Sequence, residues 1–219
     1  DSPDPMLDAQ LGRALLLIGE SARGQDNILS ALATVDRRVP RSTLGLKLGL
    51  FFEFLRQFLP SATSSGPPAL LAETTEAMNT LSFHVYENGA PSHVQYYLAF
   101  RTLNLPITPE NSEVLFRINS AVAFSMRTAG QDRFARYYDA RAANLLPAVS
   151  SPRIHGERCL VRLYDHAHRG DWPTALKAGE EARGHFQRAG MRRGLDEVSM
   201  GESLVLYWQG EFQEAKAKV

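Results

Sequence analysis

Three glycines recur 40 residues apart, at Gly130, Gly170 and Gly210. A fixed period of this length constrains a chain more than local propensity does, because it marks one supersecondary unit used repeatedly. Each glycine is followed five residues later by an alanine: Ala135, Ala175 and Ala215. Gly170-Asp171-Trp172 and Gly210-Glu211-Phe212 share a small-acidic-aromatic order, and Gly130-Gln131-Asp132 is a looser version. A further alanine stands twelve residues after the first two glycines, at Ala142 and Ala182 in their respective units.

Each position has a physical use. Glycine takes positive φ without a Cβ penalty and so ends a helix. The acidic residue after it caps the next helix by accepting from orphan amides. Pro173 sits near that helix start, where a missing N–H costs little. The alanines let two helices approach closely. Each unit is therefore expected to be one helical hairpin that buries its apolar face only by stacking on a neighbour. The expected fold is all-α: a right-handed α-solenoid of antiparallel hairpins.

Upstream the pattern weakens. Gly19 is followed by Gly24 and Ala31 at the same offsets, and Gly89 by Val94 where alanine would stand. Gly89 stands 70 residues after Gly19, not about 40, so an insertion is expected. The expected organisation is a first hairpin over 1–38, an inserted apolar helix and Ser/Pro/Gly loop over 39–68, and repeats over 69–219. Helices are expected near 6–22, 25–37, 42–59, 69–88, 92–104, 110–129, 132–147, 152–169, 172–189, 192–209 and from 212 onward. The inserted helix 42–59 is broken by Lys47, Glu53 and Arg56 and is too short to span a bilayer. It is expected to be buried against the repeats rather than to lie in a membrane interface, because it has no face rich in Lys/Arg.

The unit Gly170, Asp171, Trp172, Ala175 and Ala182, repeated in Gly210, Glu211, Phe212 and Ala215, resembles the tetratricopeptide repeat. Its period exceeds the family's usual length of about 34 residues. The longer helices are similar to the repeat regions of large bacterial signalling ATPases, where such arrays adjoin a nucleotide-binding module and a kinase, cyclase or DNA-binding domain. The segment from Ala31 to Ser42, followed by the apolar helix ending Phe54-Leu55-Arg56-Gln57-Phe58-Leu59-Pro60, is similar to a linker within those arrays. Cys159 stands where the family commonly has an aromatic residue.

Charge and composition narrow the partners. Lys+Arg and Asp+Glu both count 24, so the net charge is zero, which argues against nucleic acid as the main partner. One cysteine allows neither an internal disulfide nor a cysteine-based zinc site, and it points to a reducing, cytoplasmic setting. A first residue other than Met, and a last segment that reads as mid-helix, suggest a piece of a longer protein.

No phosphate loop, no Gly-x-Gly-x-x-Gly and no His-Glu-x-x-His occurs. His166 and His168 are two apart on an expected helix and point away from each other, so they do not chelate one metal. Cys159 reads as a buried small apolar group. No catalytic residue, cofactor or metal is therefore expected. Of the adjacent aromatics Tyr96-Tyr97, Tyr137-Tyr138 and Tyr207-Trp208, at least one of each pair is expected to pack between helices. By the resemblance, the first helix of each hairpin lines a concave surface. The candidate binding residues on it are Arg117, Ser120, Phe124 and Arg127, then Glu157, Tyr164 and His168, then Glu197, Met200, Leu204, Tyr207 and Trp208. Aromatics would supply area, and Arg117 and Arg127 would pair with a partner's carboxylates. The expected function is a non-catalytic scaffold that binds a peptide, a partner helix or other domains of the same polypeptide. The alternatives are a small-molecule-sensing regulatory domain of a signalling ATPase, kinase or cyclase, and a structural spacer or oligomerisation segment.

Overall fold

The computed structural model describes residues 4–35, 39–40, 42–59, 67–89 and 91–218. Among them the chain is all-helical, with no strand. The helices are α1 (Pro5–Leu17), α2 (Ser21–Val35), α3 (Thr43–Arg56), α4 (Pro68–Glu87), α5 (Ser92–Leu103), α6 (Ser112–Thr128), α7 (Asp132–Leu145), α8 (Pro152–His168), α9 (Trp172–Arg188), α10 (Arg192–Gln209) and α11 (Phe212–Lys218). Most of the loop expected over 61–68 lies outside the described residues. Gly19, Gly89, Gly130, Gly170 and Gly210 all have positive φ, as does Gly190 between α9 and α10, which the 40-residue period does not mark. The first helix is shorter than its expected span, ending at Leu17. There Gly19 turns the chain (φ +87) and Glu20 N donates back to Leu15 O at 2.9 Å.

The chain divides into two compact units, Asp1–Ile118 and Asn119–Val219. In the first, α1 packs on α2, and α4 packs on α1, α2 and α5. The core holds Leu16, Ile28, Leu32, Met78, Leu81 and Tyr97. Helices α1 and α2 approach so closely that a Cβ on Gly12 would meet Gly24 O at 2.8 Å. An Arg13–Glu73 ion pair at 2.7 Å ties α1 to α4.

Helix α3 packs on α5, but not by its apolar surface alone. The inward stripe is Leu46, Leu50, Glu53 and Gln57, spaced to share one helical face. Gln57 Nε2 donates to Phe100 O at 2.8 Å and to Asn104 Oδ1 at 2.6 Å. Asn104 Nδ2 donates to Glu53 Oε2 at 2.7 Å. These bonds satisfy the buried amide and carboxylate, and they also hold the end of α5, whose C-cap is Asn104. Leu44, Leu48, Phe51, Phe52, Leu55, Phe58 and Leu59 are left exposed. The expectation that this helix is buried is thus corrected. Packing against α5 uses one stripe, and polar residues hold part of it.

In the second unit α8 packs on α9, α10 packs on both, and α11 packs on α10. The repeat-signature alanines Ala135, Ala142, Ala175, Ala182 and Ala215 are all buried. The Phe186 ring of α9 lies between glycines of the two neighbouring helices. A Cβ on Gly156 of α8 would meet it at 2.7 Å, and one on Gly194 of α10 at 2.6 Å. Helix α9 is capped as its sequence implies: the Asp171 carboxylate accepts from Thr174 N at 3.4 Å. Gln131 holds the equivalent position before α7 without a side-chain cap. Tyr97 and Tyr138 are the buried members of their aromatic pairs. Tyr207 and Trp208 are both partly exposed, at 59% and 42%, yet Trp208 packs against His168 of α8 and Trp172 of α9.

Candidate functional site

The groove lies in the second unit. Its walls come from three helices: Tyr164 of α8, Met200, Ser203, Leu204 and Tyr207 of α10, and Phe212, Ala215 and Lys216 of α11. It encloses about 820 Å³ and is open to solvent. Gly210, the left-handed C-cap of α10, folds α11 back so that Phe212 meets Tyr207 edge-on at 5.3 Å between ring centroids. Ser203 Oγ donates to Ala215 O at 2.9 Å and fixes the spacing of α10 and α11 at the groove floor. Behind it, buried Glu202 accepts from Arg183 Nη2 and Lys218 Nζ, each at 2.8 Å. Tyr164 Oη donates to Glu197 O at 3.5 Å. Burial, followed by the Glu197 charge, pushes its phenol above the ordinary value, so it stays protonated. Among the described residues that line the groove, Lys216 is the one with a charged side chain.

A row of rings borders this groove through Tyr164. Phe124 lies 6.5 Å from Tyr164 and 5.7 Å from His168. His168 meets Trp208 edge-on at 5.7 Å, and Trp208 lies 6.0 Å from Trp172. His168 Nδ1 donates to Tyr164 O at 2.8 Å, which orients the imidazole within the row.

The structure thus brings Tyr164, Met200, Leu204 and Tyr207 into one groove and sets Phe124, His168 and Trp208 in the adjoining row. The other expected binding residues have partners within the chain. Arg127 bridges Asp139 of α7 and Asp165 of α8. Arg117 lies 3.8 Å from Glu76. Glu157 accepts from Arg153 at 3.0 Å. Phe212 and Lys216 are groove residues that counting back along first helices misses, because they belong to a second helix. The signal for Phe212 was its place in the repeat motif.

Among the described residues no group of three or more His, Cys, Asp or Glu side chains is placed to hold a metal ion, and no helix is long and apolar enough to cross a membrane. His166 faces Asp171 at 3.1 Å while His168 faces the ring row, so the two histidines diverge. Cys159 is buried, and desolvation followed by the Glu181 charge pushes its thiol up, away from the reactive thiolate. No family model matches the chain, and no curated protein or solved structure matches it.

Proposed function

We propose that this chain is a non-catalytic interaction module whose groove between α8, α10 and α11 binds an amphipathic peptide or partner helix. On this reading residues 119–219 form a hairpin array of the tetratricopeptide type, with the first helices of its hairpins facing the ligand. The observation that carries it is the convergence of Tyr164, Met200, Leu204, Tyr207 and Phe212 on one open groove, with Met200, Tyr207 and Phe212 each about 60% exposed. Large flexible and aromatic side chains held at a surface are the usual anchors of interfaces. Lys216 at the rim would select an acidic residue flanking the ligand's apolar anchors.

Panning a displayed library of random peptides against the chain tests this. The expected ligands carry aliphatic or aromatic residues at helical spacing beside an acid. Tyr207→Ala and Met200→Ala should each weaken them by at least ~10-fold, a loss of about 1.4 kcal/mol. Lys216→Glu should remove the preference for the acid. Selected peptides that bind all three variants as tightly as the parent would overturn the assignment.

A further inference from the structure

We infer that α3 is a self-association helix, whose occupant is α3 of a second copy of this chain. The exposed residues Leu44, Leu48, Phe51 and Leu55 of α3, with Phe58 in the turn that continues it, are spaced by four, three, four and three. This is the alternation of a heptad seam, the pattern by which one helix packs along another. Phe52 and Leu59 widen the seam on one side. Such regularity is not needed for general stickiness, and the residues turned inward show that it is not a by-product of composition. Along α3 and the turn that follows it, Glu53 and Gln57 occupy the buried stripe while three phenylalanines and four leucines face outward.

Area supports the same occupant. The exposed side chains open roughly 700 Å² of apolar surface, more than the ~300–600 Å² of the largest patch on a typical monomer. Complete covering of both patches would bury at most roughly 1,400 Å², which reaches the ~1,200–2,000 Å² of stable specific interfaces. A lipid surface fits less well. Interfacial helices set a Lys/Arg-rich face beside the apolar one, whereas here Lys47 is exposed and Arg56 is half-buried beside Glu53 at 3.8 Å.

The test is sedimentation of the 219-residue chain over about 1–200 µM, with the double variant Phe51→Glu/Leu55→Glu alongside. The parent chain should pass from monomer to dimer across this range. The double variant should weaken dimerisation by at least ~100-fold, since each dimer would bury four carboxylates, and should keep the parent's helical circular dichroism. A cysteine at Leu48→Cys should form an intermolecular disulfide on oxidation, whereas one at exposed Gln187→Cys should not. A parent chain that stays monomeric overturns the proposal. So does a double variant that dimerises as well as the parent, which would place the contact elsewhere, such as the groove. A monomeric parent that co-sediments with anionic phospholipid vesicles through Phe51 and Leu55 would assign the face to lipid instead.

Discussion

Arg127 of α6 donates from Nη1 to Asp165 Oδ1 of α8 at 3.1 Å, while its Nη2 reaches Asp139 of α7. One guanidinium therefore joins three helices, and its side chain is only 19% exposed. Arg127→Met should destabilise the second unit by about 2 kcal/mol, because it strips the 15%-exposed Asp165 of its half-buried partner and leaves the more exposed Arg169 beside it. Urea denaturation measures the loss. Asp165→Asn should recover part of it in the Arg127→Met background.

The two glycines against Phe186 make a prediction of opposite sign to helix propensity. Gly194→Ala should gain at most about 1 kcal/mol of propensity in the first turn of α10 and lose about 1–3 kcal/mol to overpacking. The net effect should be destabilising. Phe186→Leu in the same background should relieve the clash at 2.6 Å, so the double variant should be more stable than additivity allows.

Polar residues in the buried stripe of α3 should be intolerant of truncation. Gln57→Ala removes donors to Phe100 O and Asn104 Oδ1 and should cost about 1–3 kcal/mol in the first unit. Phe52→Ala, on the exposed side of the same helix, should leave monomer stability within about 0.5 kcal/mol of the parent.

His185 gives the second unit an acid-sensitive element. Desolvation, then the Arg188 charge and His155 stacked at 5.4 Å, hold its imidazole below the ordinary value of 6.5. The unfolded chain therefore takes up the proton first as pH falls. Stability should be complete above about pH 6.5 and decline as the pH drops through the depressed value. His185→Gln should flatten that decline in urea titrations run between about pH 7.5 and 5.

Cys159 should resist modification. Its buried thiol, raised by desolvation and Glu181, should react with a maleimide at neutral pH at least ~100-fold more slowly in the folded chain than in urea.

The helices were legible because their punctuation is strong. Gly170, Asp171, Trp172 and Pro173 encode a stop, a cap and a start within four residues, and α9 begins at Trp172 as expected. Where the punctuation is thinner the span drifts, as in α1, whose apolar run continues to Ile18 past its real end. The facing of α3 was not legible. Its charges are scattered among apolar residues, and what decides the buried stripe is the bonding need of Asn104, 47 residues beyond Gln57. The groove was half legible. Tyr164, Met200, Leu204 and Tyr207 follow from helical spacing on first helices, but Lys216 enters only because α11 folds back at Gly210. Arg127 shows the limit most plainly. An arginine near a helix end reads equally as a ligand contact or an internal tie, and only the positions of Asp139 and Asp165 separate the two.

The six left-handed glycines among the described residues also bear on how fast each part of the chain assembles. Helices α8 to α11 each reverse at such a turn and pack on the next helix along, so their contacts close short loops. The first unit must bring α1 and α2 to α4 across the whole of α3 and its flanks. Short-range closure loses less chain entropy before contacts form. The second unit, although it follows the first in the chain, should therefore reach its native packing sooner, while the first is still searching for its partners.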